Sequence, residues 1–363
     1  MKTILMGIAG AAIAFGSLAL VSQPSTAATL RFDQVYFFGD SLSDPSNAYR
    51  ASGGLVPPSP PYARRFSNGP VWAEYLAGQL GLSPVPSTQL SEQNPPLQGA
   101  NFAFGGATSG TANTVVPVFF PGLQQQIAQF LSLPLPANPN ALFVLWAGAN
   151  DYLPTNSPVF TPFTNPQPSI ANITTAVSAL ESAGAQNILV VNLPDLGTLP
   201  LTRTTTDAPR LNALSQAHNN FLFQQMGGLE RSPGFNANII PLDVNALFQQ
   251  VIGQPSQFGF TNVTEPCLNQ QTFIPCSNPS EYLFWDRIHP TTAAHQVIGN
   301  FALTALQASE HDSASVPEPT TVWGLLALAS LGISQVWRRR ATLANVTASN
   351  AEPEEAETHA HLG

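Results

Sequence analysis

Apolar runs of strand length recur along the chain, and several of them stop at glycine followed by a polar residue. The first covers Val35–Phe38 and ends in Gly39-Asp40-Ser41. Asn101–Phe104 is a shorter run ending in Gly105-Gly106, and Ala141–Trp146 is continuously apolar and ends in Gly148-Ala149-Asn150-Asp151. Ile188–Leu193 and Ile239–Leu242 complete the set. Unbroken apolar strands are the mark of a sheet buried on both faces. Between them the spacing changes to three and four: Val71, Tyr75, Leu76 and Leu80 fall on one side of a helix over 71–80. Further helices are predicted over 123–131, 169–183 and 211–226, the last two closed by Gly184 and by Gly227-Gly228. Asp243 is placed to cap a helix over 244–252, and Pro290 falls in the first turn of a final helix over 291–307. Residues 253–281 read as irregular.

Strands and helices in turn predict a parallel sheet covered by helices on both faces, a single α/β domain without internal repeat. Composition sharpens this. Charged residues are 9% of the chain and hydrophobic residues 44%, with 34 prolines and 26 glycines, so a large core is joined by long turn-rich loops. A net charge of −9 excludes a basic nucleic-acid-binding face. Lys2 is the sole lysine, which removes lysine nucleophiles and Schiff bases. The two cysteines, Cys267 and Cys276, form neither a Cys-x-x-Cys pair nor a Cys/His cluster, so no metal site and no cofactor are implied. They close a short disulfide loop in an exported protein or stand as two thiols, and the sequence leaves both open.

The ends read as addresses. Lys2, the apolar run Ile4–Val21 and the small residues up to Ala28 have the three parts of a secretory signal peptide, residues 1–28, a substrate for signal peptidase. At the other end, Val316-Pro317-Glu318-Pro319 precedes an apolar segment, Thr320–Trp337, and Arg338-Arg339-Arg340. That segment is just long enough to cross a bilayer, with the arginines holding its end in the cytoplasm. Residues 313–340 resemble a PEP-CTERM sorting signal, which implies an exosortase-like sorting enzyme as partner and a membrane tether. An acidic, Ala-rich tail, 341–363, follows and is expected to be disordered. The domain itself is expected over 29–312, outside the cytoplasm.

In a parallel sheet all carboxyl ends lie at one rim, so Ser41, Gly106 and Asn150 are expected to gather there. Ligands collect at that rim in open α/β sheets. Just before the last helix comes Trp285-Asp286-Arg287-Ile288-His289-Pro290. Three positions apart, Asp286 and His289 share a turn, and a carboxylate there reaches an imidazole nitrogen. Taken singly these strings have plain structural readings: a serine after a strand caps helices, and Asn-Asp makes turns. Together they are the parts of acyl transfer. Ser41 is the expected nucleophile, His289 the expected base that takes its proton, and Asp286 the expected acceptor that fixes the imidazole tautomer. The backbone N–H groups of Ser41 and Gly106 and the side chain of Asn150 are the expected oxyanion hole.

These strings resemble those of SGNH hydrolases of the GDSL lipase/esterase family. Asn101-Phe102-Ala103-Phe104-Gly105-Gly106-Ala107, Arg65 to Trp72 and Asn192 to Gly197 extend the likeness over about 35–306. It implies a three-layer α/β/α sandwich with a flavodoxin-like parallel sheet of about five strands, and the same roles for Ser41, Gly106, Asn150, Asp286 and His289. Arg287 departs from the small residue common there, at the rim of the site. The expected activity is an exported serine esterase acting on a small-molecule or lipid ester. A binding protein on the same scaffold and a polysaccharide deacetylase are the alternatives. Asp40, Asp151 and Asp195 are expected to brace loops, His218 to be solvated, His295 to make a helix-face contact, and Tyr282, Phe284 and Trp285 to pack in the core.

Overall fold

A computed structural model describes residues 32–134 and 138–314. The expected signal peptide, the expected sorting signal with its apolar segment and arginines, and the acidic tail lie outside the described residues, apart from the first residues of 313–340 at the end of the last helix. Among the described residues no helix is long and apolar enough to cross a membrane.

Six parallel strands form one sheet in the order β2-β3-β1-β4-β5-β6. They are β1 (Gln34–Gly39), β2 (Val85–Pro86), β3 (Gly99–Asn101), β4 (Ala141–Trp146), β5 (Asn187–Val191) and β6 (Asn238–Leu242). The helices are α1 (Asn47–Ala51), α2 (Trp72–Gln79), α3 (Leu123–Leu131), α4 (Gln167–Ser182), α5 (Ala208–Glu230), α6 (Val244–Gly253) and α7 (Thr292–Ala314). Without the two-residue edge strand β2 the order is the flavodoxin-like one, so the expected five strands become six. β2 escapes the sequence because it is two residues long and one is proline, which only a sheet edge tolerates.

Period-two alternation splits the core into two layers. Val35 and Phe37 of β1, with Leu142, Val144 and Trp146 of β4, face α2, α6 and α7. Tyr36 and Phe38, with Phe143 and Leu145, face α3, α4 and the C-terminal half of α5. The central strands β1 and β4 pair in register from Gln34 with Ala141 to Gly39 with Trp146, so both end at the same height.

Several boundaries differ from expectation. The strand expected over 101–104 is β3, which starts two residues earlier and ends three residues earlier. The Phe102 and Phe104 N–H groups still donate to the Phe37 and Gly39 carbonyls, at 2.7 and 3.1 Å, but Asn101 turns its side chain onto the Ala103 N–H and ends the regular ladder. α5 runs through Gly227-Gly228 to Glu230, because packing around Leu222 and Met226 outweighs the modest penalty of helical glycine. Pro290 precedes α7 instead of entering its first turn; Thr291 accepts from the Ala294 N–H and starts the helix. Asp243 caps α6 as expected, accepting from the Ala246 N–H at 3.0 Å. The region expected to be irregular holds a strand, β7 (Asn262–Pro266), which pairs with β8 (Tyr282–Phe284). Cys267 and Cys276 are joined as a disulfide beside this ladder.

Candidate active site

β1 delivers Ser41 to the rim. Gly39 stands where β1 and β4 close up: a Cβ there would lie 2.2 Å from the Trp146 carbonyl oxygen, and its φ is +153°. Buried Gln126 of α3 pins the same residue, accepting from the Gly39 N–H at 2.9 Å and donating to its carbonyl at 2.8 Å. The turn beyond is tied by its acids. Asp40 accepts from the Leu42 N–H at 3.0 Å. Asp44 accepts from the N–H groups of Ser46, Ala48 and Gly105 at 2.8, 3.0 and 2.9 Å, joining the Ser41 turn to the Gly105-Gly106 loop. Burial raises both carboxyls, Asp40 to about 7 and Asp44 to about 6, against the N–H groups that favour their charged forms.

Gly106 sits at φ +79°, and a Cβ there would meet the Asn113 and Val115 side chains at 2.7 and 2.6 Å. Asn150 comes from the single helical turn after β4. Its amide nitrogen donates to the Ala107 carbonyl at 3.0 Å and, more weakly, to Asp40 Oδ2 at 3.3 Å. Among the described residues neither the Ser41 nor the Gly106 backbone N–H has an acceptor.

Asp286 and His289 sit on the loop between β8 and α7. His289 Nε2 is 2.8 Å from Ser41 Oγ, and His289 Nδ1 is 2.7 Å from Asp286 Oδ2. Asp286 Oδ1 accepts from the N–H groups of Ile288 and His289 at 2.8 and 2.7 Å, and Tyr62 donates its hydroxyl to Oδ2 at 2.8 Å. Burial works to raise the Asp286 carboxyl. The His289 ring and the two backbone N–H groups outweigh it and hold the acid below its usual value. Burial and the neighbouring carboxylate drive the Tyr62 phenol upward, so it stays a neutral donor.

The loop is held from behind. The Trp285 N–H closes onto the His289 carbonyl at 2.7 Å, and the N–H groups of Cys267 and Leu268 donate to the Phe284 and Trp285 carbonyls at 3.0 and 2.7 Å. The disulfide therefore staples the segment that backs Asp286. In front, Ser41, Gly106, Asn150 and His289 line one cavity of about 480 Å³, walled by Thr114–Val115 and Leu153–Pro158 on two loops.

All five site residues expected from sequence thus converge. Asp40 and Asp151 brace backbone as expected, Asp151 through the Ser109 N–H at 2.9 Å. Asp195 braces its loop as well, accepting from the Asn245 side-chain amide at 3.1 Å. His218 is not solvated: it is fully buried on α5, with Nδ1 2.8 Å from the Tyr152 hydroxyl, and desolvation lowers it to about 3. His295 is fully buried on α7, and Phe284 and Trp285 are core residues, whereas Tyr282 is only half-buried, packed against the cluster of Cys267, Leu268 and Trp285. Arg287 points away, its guanidinium 3.3 Å from the Leu201 carbonyl.

Comparison with known proteins gives the family. The family model for GDSL-like lipase/acylhydrolase matches residues 35–301. The chain is 33% identical over 330 residues to an uncharacterised protein of the trpE–trpG intergenic region of Pseudomonas putida, covering 80% of this chain and 51% of that one. It therefore spans about half the length of that relative. It is 28% identical over 346 residues to phosphatidylcholine-sterol acyltransferase of Aeromonas hydrophila, covering 80% of this chain and 96% of that protein. Among solved structures, Axe2, an acetylxylan esterase from Geobacillus stearothermophilus, aligns with a TM-score of 0.40 and 14% identity over 76% of this chain and 94% of that one.

Proposed function

The chain belongs to the GDSL-like lipase/acylhydrolase family, and on that premise we propose that it is a serine esterase that cleaves carboxylic esters through an acyl-Ser41 intermediate. One observation carries the reading: a single imidazole, His289, bridges Ser41 Oγ at 2.8 Å and Asp286 Oδ2 at 2.7 Å. A serine hydroxyl at its ordinary acidity is a weak nucleophile. His289 takes its proton through Nε2 as the oxygen attacks the ester carbonyl. Asp286 accepts from Nδ1–H, keeps the ring in the tautomer that leaves Nε2 free, and stabilises the imidazolium. The proton then passes to the leaving alcohol, and a water activated by the same ring releases the acid.

The tetrahedral oxyanion is held by the backbone N–H groups of Ser41 and Gly106, with one N–H of Asn150. The two backbone donors have no other acceptor among the described residues. The Asn150 amide is released toward substrate from its longer contact, that to Asp40 at 3.3 Å. Each such donor contributes roughly 3–4 kcal/mol of transition-state stabilisation.

Export through the 1–28 leader, followed by sorting through residues 313–340, is part of the same proposal; the Cys267–Cys276 disulfide supports it, since such bonds persist in oxidising compartments. The test is hydrolysis of a short nitrophenyl ester. Wild type is expected to turn it over, and Ser41→Ala and His289→Ala each to lose at least about 1,000-fold in kcat. Equal turnover by wild type and Ser41→Ala overturns the proposal.

A further inference from the structure

The two loops that wall the cavity end in apolar residues that the fold holds out in water. On the first, Val118 is 85% exposed and Phe119 84% exposed. On the second, Val159 is 51% exposed. A loose loop does not explain this exposure. Val116 and Phe120 of the first loop pack inward on Phe66 and Phe104, and the Phe120 N–H closes onto the Val116 carbonyl at 3.1 Å. Buried Asn113 accepts from the Val115 and Val116 N–H groups at 2.9 and 3.0 Å. The base is thus fixed while the tip turns outward at Val118, a β-branched residue held at φ +76° where such side chains are rarely found. The second loop rests on the Phe160–Phe163 ring pair, centroids 5.3 Å apart.

Charge identifies what this rim meets. Between Glu92 and Glu181 the chain carries one charged residue, Asp151, and it is fully buried. Both loops come from that stretch. Apolar tips on loops that carry no charge enter a lipid–water boundary without having to desolvate an ion of their own. With no lysine or arginine in that stretch, neither loop attracts anionic headgroups. Position adds the substrate: Pro117 and Pro158, the chain neighbours of Val118 and Val159, line the same cavity as Ser41 and His289, so a lipid surface at the tips lies beside the nucleophile.

We propose that loops 114–120 and 154–160 dock onto aggregates of neutral or zwitterionic lipid, with Val118 and Phe119 entering the interface, and that the substrate is an ester presented there. This rests on the esterase reading above and deepens it.

Because both native cysteines are paired, a cysteine introduced by Val118→Cys takes an environment-sensitive fluorophore alone. The label is read in the full chain with Ser41→Ala added, so hydrolysis plays no part. Vesicles of phosphatidylcholine are expected to shift its emission to the blue, while the same label at exposed Phe223 of α5, introduced by Phe223→Cys, does not shift. No shift at 118, an equal shift at 223, a shift confined to phosphatidylglycerol vesicles, or a shift that grows with protein concentration without vesicles overturns the proposal. In the active chain, Val118→Asp with Phe119→Asp is expected to lose at least tenfold in phosphatidylcholine hydrolysis and to keep short-ester kcat/KM within twofold. A parallel loss on both substrates contradicts docking. Loss of short-ester turnover by Ser41→Ala tests the esterase reading separately.

Discussion

Tyr62 and Asp286, 224 residues apart, meet at 2.8 Å, with the phenol donating to the same carboxylate oxygen that receives His289 Nδ1–H. Asp286 therefore has four donors, and the tyrosine's is the one that comes from outside its own loop. Tyr62→Phe leaves the other three in place. Hydrogen bonds to charged groups contribute about 1.5–3 kcal/mol, and part of that is specific to holding the carboxylate against His289. The expected outcome is a fall of about 3- to 30-fold in kcat on a short ester with KM unchanged. An unchanged kcat would make the contact structural only.

Asp40 has the opposite electrostatic character from Asp286. Burial raises its carboxyl to about 7, so the folded chain binds a proton near neutral pH that the unfolded chain releases at about 4. The stability from that proton is fully present below about pH 4 and is lost as pH rises through about 7. Asp40→Asn keeps a side-chain oxygen for the Leu42 N–H and removes the ionisation. Relative to wild type, the variant's Tm is expected to climb by several degrees between pH 4.5 and 7.5. His218 and His295, both lowered to about 3 by burial, act in the other direction: they favour the fold at neutral pH and lose that contribution as pH falls below about 6.5. They are common to both proteins and cancel in the comparison. A gap that does not change with pH would contradict the buried, proton-binding state of Asp40.

The site residues were readable because each lies in a short string at an element end: Gly39-Asp40-Ser41, Gly105-Gly106, Ala149-Asn150 and Asp286 to His289. Their supports were not, because each acts across long chain separations. Gln126 is one glutamine of three in a row in α3, and only the fold shows that it grips Gly39, 87 residues away. Asp44 reaches Gly105 over 61 residues and Tyr62 reaches Asp286 over 224. His218 looked solvated because its neighbours on α5 are polar; its partner Tyr152 is on a distant loop. The central strands were legible as unbroken apolar runs. β2 and β7 were not, since edge and satellite strands need little apolar character.

The Cys267–Cys276 disulfide closes a short loop against β8 and the segment before Asp286. Replacing both cysteines by serine is expected to cost about 2–4 kcal/mol of stability. Because the Cys267 and Leu268 N–H groups hold the Phe284 and Trp285 carbonyls, kcat is also expected to fall at temperatures well below the new Tm. Full activity in the reduced or doubly substituted protein would show that β8 holds the Asp286 loop without the staple.

The most direct measurement is covalent labelling of the folded protein by a fluorophosphonate, followed by mass analysis. One adduct on the peptide carrying Ser41 is expected in wild type, slowed by orders of magnitude in His289→Ala and absent in Ser41→Ala. A folded wild type that takes no label, or an adduct on another residue, would contradict Ser41 as the nucleophile.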